Sequence, residues 1–283
     1  MAHLKSFRTG WENENLAMYL LSRISFVANP ISVADDIGSD FLCTLFEPRM
    51  LNGKAQLFPL QSFAIQIKSS FDALEATKKI EYLDSLELPF FLGVAQQSDL
   101  SLSVFSGEFL PIALTALGRP DRLILRPVED ESVSIRNAYT RDKKQCEVRL
   151  PLLTKLGAQD EPGQLASKRE RLEKRCTRMH ENIATRRAEE YIYKIDDESG
   201  VLILAGPGSV KTFRRNHHLR LAEVFYNLEW ILDNAPNNFD ADEYNVYAEH
   251  YASLQRSGVA TPQILGKIFE QLRKRLPSDE KSR

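Results

Sequence analysis

Gln66-Ile67-Lys68 closes the apolar run Phe63-Ala64-Ile65 and lies downstream of Asp36-Ile37-Gly38-Ser39-Asp40. On a β-strand, side chains two residues apart share a face. Gln66 and Lys68 would then point together to one side, while Ile65 and Ile67 point into a core. An amide and an ammonium side by side on a buried strand are costly without partners. Asp40 opens a second apolar run, Phe41-Leu42-Cys43-Thr44-Leu45-Phe46, and the stretch from Glu47 to Lys54 carries Pro48 and the Asn52-Gly53 turn signal. The two runs are expected to pair, which brings Asp40 near Gln66 and Lys68. The Asp40 carboxylate, the Gln66 amide oxygen and a backbone carbonyl are hard oxygen ligands of the kind that hold Mg²⁺ or Mn²⁺. Such an ion lowers the pKa of a bound water, and the Lys68 ammonium beside it can orient that water or neutralise charge developing on a phosphate. The bland alternative is that Gln66 and Lys68 occupy a solvated strand face.

The order Asp40, then Gln66-x-Lys68, resembles the PD-(D/E)XK phosphodiesterase superfamily, which has the restriction-endonuclease-like fold. More narrowly, it is similar to the branch with Gln in the third acidic position, as in Mrr-type and related bacterial defence nucleases. In that superfamily a Glu on the first helix, often in a Gly-x-x-x-Glu pattern, completes the site. Here Gly10-Trp11-Glu12-Asn13-Glu14 places Glu14 on the pattern, with Glu12 a near neighbour. The resemblance covers roughly residues 8 to 115 and rests on the order of short motifs. It implies a catalytic set of Glu14, Asp40, Gln66 and Lys68, with Asp40, Gln66 and Glu14 as metal ligands. The implied activity is Mg²⁺- or Mn²⁺-dependent hydrolysis of DNA phosphodiester bonds, in bacterial defence against foreign DNA. The departure is Gln66, a neutral amide and so a weaker ligand than a carboxylate. A non-catalytic, nuclease-fold assembly subunit of a defence or DNA-processing complex is therefore the alternative function.

Bulk properties narrow the setting. The chain has 283 residues, long enough for one large domain or two smaller ones. Its formal charge of −2 excludes a uniformly basic nucleic-acid coat, so a DNA-binding face must come from local clustering. Cys43, Cys146 and Cys176 are far apart and form no Cys-x-x-Cys, which suits a reducing cytoplasm better than a disulfide framework. No signal-peptide core and no apolar stretch of membrane-spanning length is visible. A soluble, cytoplasmic protein is the expectation.

Around the motif, periodicity predicts the elements that must hold it. Residues 12–24 read as an amphipathic helix with Leu16, Tyr19, Leu20 and Ile24 at helical spacing, and Ile31-Ser32-Val33 as a short strand. Phe71 to Leu86 reads as a helix. Phe90–Ala95 and Leu100–Phe105 read as strands, the second alternating like an edge strand or one with a solvated face. Together these predict an α/β nuclease core over 1–115, a mixed sheet flanked by helices. Residues 116–163 read as an extension with a strand at Leu123–Leu125, ending in a linker from Gly157 to Gly163.

Residues 164–283 read as a mainly helical region for DNA or partner binding, including homo-oligomerisation or docking to a defence-system protein. Ser167 to Arg187 holds eight Lys/Arg against three Glu and reads as a solvated helix with i,i+4 pairs such as Glu170–Lys174. Tyr191–Ile195 and Val201–Ala205 read as a β-hairpin, followed by helices near 213–233, 240–256 and 262–276. Tyr244, Tyr247, His250 and Tyr251 form an aromatic stripe expected in a core or interface. Lys211, Arg214, Arg215 and Arg220 are candidate DNA-backbone contacts. His217-His218 diverge on a helix and find no further ligand at spacing, so zinc is not expected.

Ala205-Gly206-Pro207-Gly208-Ser209-Val210-Lys211-Thr212 resembles the phosphate loop of superfamily 1 helicases. That loop needs Gly immediately before its Lys-Thr pair. Val210 stands there, and Ala205 replaces the first Gly. A turn closing the hairpin, without ATP binding, is the expectation.

Overall fold

The computed structural model describes residues 2–29, 38–129, 133–187, 192–195 and 202–204, the helix Ala241–Arg256, and single helical positions between 224 and 274. Two compact units divide the chain: Met1–Arg187 with Tyr191–Pro207, and Ala188–Glu190 with Gly208–Arg283. The expected strand at Ile31–Val33 lies outside the described residues.

The first unit is α/β. Its elements are α1 (Ala2–Ser22), β1 (Phe26–Ala28), β2 (Phe41–Leu51), β3 (Lys54–Lys68), β4 (Leu74–Glu75), a 3₁₀ turn (Thr77–Lys79), α2 (Ile80–Ser85), β5 (Phe90–Gln96) and β6 (Ser101–Ser106). There follow α3 (Phe109–Leu117), β7 (Leu123–Val128), β8 (Cys146–Gly157), α4 (Pro162–Arg187), β9 (Ile192–Lys194) and β10 (Leu202–Leu204). Strands β1 to β8 form one mixed sheet in the order β1-β2-β3-β5-β6-β8-β7-β4. β2 and β3 pair antiparallel through a turn at Asn52 and Gly53, whose φ values of 53° and 76° are the left-handed pair that a tight hairpin requires. β3 and β5 are parallel, joined through α2, while β5–β6 and β6–β8 are antiparallel.

Strand alternation sorts side chains onto two faces. Phe63, Ile65, Ile67 and Phe91 pack under α1 and α4 with Ala17, Leu20, Leu172 and Met179. Leu92, Val94 and Phe105 pack on the opposite face, with Ile80 and Leu83 of α2 and Phe109 and Ala113 of α3. The hairpin β9–β10 is antiparallel, as its sequence predicts. It is tied to α4 by the buried Asn182, whose amide donates to the Lys194 carbonyl at 2.8 Å and accepts from the Lys194 N–H at 2.7 Å.

Several expectations are corrected. Phe71–Leu86 is not one helix: Leu74–Glu75 pairs with β7, the Ala76 N–H donates to the Leu123 carbonyl at 2.8 Å, and only Ile80–Ser85 is α-helical. Pairing across the chain overrides local helix preference here. β6 is not an edge strand, because β5 and β8 flank it and all six residues are buried. Its alternating serines sit inside the fold; Ser101, for example, bonds to Asp99 at 2.9 Å.

Nor does the sheet end at residue 115, since β7 and β8 extend it. The segment 157–163 is a fastened turn rather than a linker. Asp160 Oδ2 accepts from the Gly157 N–H at 2.7 Å and from Lys168 Nζ at 2.6 Å, and Arg23 donates to the Asp160 carbonyl at 2.6 Å.

In the second unit, α5 (Ala241–Arg256) occupies the span its periodicity predicts. Tyr247 and Tyr251 are half-buried and His250 is exposed. No helix among the described residues is long and apolar enough to cross a membrane.

Candidate active site

The paired register of β2 and β3 sets Phe41 opposite Ile65, so Asp40 meets the last residues of β3. The Asp40 N–H donates to the Ile65 carbonyl at 2.9 Å. Its carboxylate then turns onto β3: Oδ2 accepts from Gln66 Nε2 at 2.7 Å and from the Ile67 N–H at 2.5 Å. The backbone entering Asp40 is shaped by Gly38, at φ 96°, where a Cβ would lie 2.7 Å from a Tyr82 ring carbon. The Ser39 and Tyr82 hydroxyls share a hydrogen bond of 2.6 Å, which fastens this entry to α2.

On the other side of Gln66, Oε1 accepts from Lys79 Nζ at 3.3 Å. The two flanking charges fix the amide's direction. A flipped amide would set its oxygen against the carboxylate and its NH₂ against the ammonium. Lys79 stands on the 3₁₀ turn, whose Thr77 hydroxyl accepts from the Leu123 N–H at 3.0 Å. Asp40, Gln66 and Lys79 thus form a carboxylate–amide–ammonium relay on the α2 side of the sheet.

Lys68 shares the face of Gln66, as alternation requires, and is half-buried. Its ammonium is turned to the Asp72 backbone carbonyl, across the short turn that follows β3. Burial pushes its pKa below the usual lysine value, and the Asp72 carboxylate partly opposes that shift. Asp40 and Gln66 are therefore in contact, with Lys68 beside them on the same strand face but held by another partner.

Glu14 is carried by α1. α1 covers the Ile65–Ile67 face, while Gln66 and Lys68 point to the other. The turn of α1 that carries it does reach this end of the sheet, since Gln97, just past β5, donates to the Glu12 carbonyl at 2.8 Å. This turn of α1 therefore lies at the same end of the sheet as the relay. Among the described residues, no three His, Cys, Asp or Glu side chains gather closely enough to hold a metal ion. Lys211, Arg214, Arg215 and Arg220, with residues 205–212 and His217-His218, lie outside the described residues.

No family model matches this chain, and no curated protein or solved structure does. The chemistry of the site therefore rests on its own residues. Sequence reasoning missed Lys79, because 71–86 reads as one helix and nothing in Thr77-Lys78-Lys79 signals a return to β3. The cysteines offer no competing nucleophile. All three are buried, and burial pushes the Cys43 thiol up to about 12 and Cys146 to about 11, far from thiolate at neutral pH.

Proposed function

We propose that this chain is a metal-dependent DNA endonuclease with Asp40, Gln66 and Lys68 at its centre, in the defence role implied by the family it resembles. One observation carries the reading: the 2.7 Å contact between Asp40 and Gln66 across the ends of β2 and β3, with Lys68 on the same face. The order of elements adds support. A helix, three antiparallel strands, then, after the two-residue β4 and a 3₁₀ turn, a short helix and a strand parallel to the third approximate the succession expected of a restriction-endonuclease-like core.

The donor set fits a hard divalent cation. Asp40 supplies a carboxylate, and the Gln66 amide oxygen already faces a positive charge, the Lys79 ammonium. Asp40, Gln66 and a backbone carbonyl would hold Mg²⁺ or Mn²⁺. A bound ion would polarise a phosphate and make its own water more acidic. The protein contributes position. Lys68, held by the Asp72 carbonyl, presents an ammonium beside the site, and its lowered pKa brings its neutral, proton-accepting form closer to the working range. Glu14, on α1, would complete the ligand set, as the resemblance implies. Supercoiled plasmid incubated with Mg²⁺ should be nicked or linearised, and chelator should stop the reaction. Lys68→Ala should lower the rate by about 10²–10⁴-fold without shifting the melting temperature. Full activity in that variant, or in excess chelator, sinks the proposal.

The relay itself favours a second reading. An amide clamped between Asp40 and Lys79 makes a complete structural network without any ion, as a non-catalytic assembly subunit would have. Plasmid left intact by the wild-type chain, with its thermal stability insensitive to Mg²⁺, would favour this alternative.

A further inference from the structure

The hairpin of β2 and β3 runs past the sheet that holds it. β1 pairs with β2 at Leu42–Thr44, and β5 pairs with β3 at Ala64–Lys68. Among the described residues, no strand flanks the six pairs that run from Phe46 with Pro59 to Leu51 with Lys54, a two-stranded ribbon about 20 Å long. Residues opposite each other in such a pair share a face. Phe46, Pro48, Met50, Ala55, Leu57 and Pro59 therefore form one face, and it is wholly apolar. The other face carries Glu47, Arg49, Lys54 and Gln56 beside Leu51 and Phe58. There Arg49 pairs with Glu47 at 2.6 Å and lies over the Phe58 ring, 5.2 Å from its centroid. One face is dressed for water and the other is bare.

At the ribbon's base this face opens into a groove of about 640 Å³, whose apolar lining includes Phe26, Phe46, Leu57, Pro162, Leu165 and Ala166. Phe26, Met50 and Leu57 are 63 %, 71 % and 69 % exposed, and Pro48, Ala55 and Pro59 are exposed too. Together these six present about 400 Å² of apolar surface, the size of patch that marks an interaction site on a monomer. A stable interface takes about 800 Å² from each partner, a little over half of it apolar, or about 450 Å². Ribbon and groove thus carry nearly the whole apolar share of one side of such an interface. The patch also holds a projecting part, the ribbon end at Met50, and a receiving part, the groove. A two-fold interface requires both on one surface, because the same patch serves each partner. Two ribbons packed face to face and antiparallel set each Met50 over the other copy's Phe46 and Leu57, at the ~10 Å spacing of packed sheets. A lone two-stranded hairpin is marginal in water, so this cover also steadies the ribbon.

We propose that this chain forms a two-fold homodimer in which the β2–β3 ribbon of each copy lies across the groove of the other, with Met50 and Leu57 as its apolar anchors. The interface shares no residue with the Asp40 relay and does not depend on nuclease activity.

Sedimentation equilibrium of the intact chain between about 1 and 100 μM should show a monomer–dimer equilibrium lying toward the dimer at the upper end. Met50→Glu with Leu57→Glu alters two exposed residues, so the fold should persist while the dimer's Kd rises at least about tenfold. Gln56→Glu, on the polar face, should leave the equilibrium unchanged. Cross-linking reads the arrangement itself. Cys43, Cys146 and Cys176 are all buried, so introduced thiols react apart from them. Chains carrying Met50→Cys, mixed with chains carrying Ala166→Cys and treated with a mild thiol oxidant, should give a disulfide-linked dimer that neither variant gives alone. A wild-type chain that stays monomeric at about 100 μM, a dimer undiminished in the double glutamate variant, or absence of the mixed cross-link overturns the proposal.

Discussion

Gln66→Glu exchanges one NH₂ group for an oxygen at the point where Gln66 donates to Asp40 at 2.7 Å. The charged hydrogen bond is lost, a cost of about 1.5–3 kcal/mol. Two carboxylates then face each other. At about 4 Å and an effective dielectric near 20 their repulsion is about 4 kcal/mol, and solvent around these half-buried groups reduces it to about 2. Lys79 returns a similar amount, because its ammonium already sits 3.3 Å from the other oxygen position. Repulsion and attraction nearly cancel, leaving a net loss of about 2 kcal/mol, or roughly 4–8 °C in melting temperature for a unit of this size. Gln66→Glu with Lys79→Met removes the returning term and should about double the loss.

Melting curves in chelator at neutral pH read both values. Acid should restore part of the stability of the double variant. A carboxyl crowded by Asp40 has its folded pKa raised, so its repulsion disappears as pH falls through that value. Mg²⁺ should stabilise Gln66→Glu by about 2.7 kcal/mol at a hundredfold excess over its Kd. If the single and double variants both melt with the wild type in chelator, the Asp40–Gln66–Lys79 relay is not the geometry of this protein.

Three further outcomes follow from the same contacts. Asp40→Ala should cost about 2–4 kcal/mol in denaturant titrations, because the Ile67 N–H and the Gln66 amide lose their acceptor, and Asp40→Asn should cost less; no cost in either would remove Asp40 from its structural role. Asp160→Asn should lose about 1–3 kcal/mol at neutral pH. Burial pushes the Asp160 carboxyl up, but Lys168, the Gly157 N–H and Arg23 together hold it below its ordinary value; its contribution is present above that ordinary value and lost as pH falls through the lower folded one, so the Asn variant should show a flatter acid limb. Replacing Arg214 and Arg215 by Gln should lower the salt slope of DNA binding by up to about 2, and an unchanged slope would point that basic segment toward a protein partner.

The centre of the sheet was legible in the sequence because its signals are local. The Asn52-Gly53 turn pairs β2 with β3 and alternation places Gln66 and Lys68 on one face, but a one-residue register shift between Thr44 and Phe46, which no local signal announces, is what brings Asp40 level with Gln66. Interior and edge strands, by contrast, carry no local label. Ser101 and Ser103 alternate in β6 like solvated residues, yet both are buried because β8 and β5 cover them from either side. β8 escaped notice for the opposite reason: Cys146–Gly157 mixes charged and apolar residues, and its place is set by pairing with β6 and β7, which lie far from it in sequence. Residues 71–79 have helical composition but are drawn out by Leu123 and its neighbours. This places Lys79 against Gln66, a position that only long-range pairing dictates.

That placement decides what Gln66 means. If the glutamine were merely a worn carboxylate position, its amide would have no need of opposite charges at its two ends. Here the nitrogen side meets a carboxylate and the oxygen side an ammonium, so the neutral residue lets Asp40 and Lys79 share one group without direct contact. Exchange of the ammonium for a divalent ion would use the same Gln66 oxygen in the same direction, and Asp40 would join it as a ligand only through its other carboxylate oxygen, since Oδ2 stays bonded to Gln66 Nε2. The substitution that most resembles an ordinary nuclease site, Gln66→Glu, is therefore the one that breaks the relay in the absence of metal. Nuclease chemistry and a metal-free structural clamp are two uses of one geometry, separated by what displaces Lys79. Melting with and without Mg²⁺ in Lys79→Met distinguishes them. Under the nuclease proposal, removing the competing ammonium strengthens the response of the wild-type Gln66 site to Mg²⁺. Under the clamp, Gln66 loses one partner and no ion takes its place.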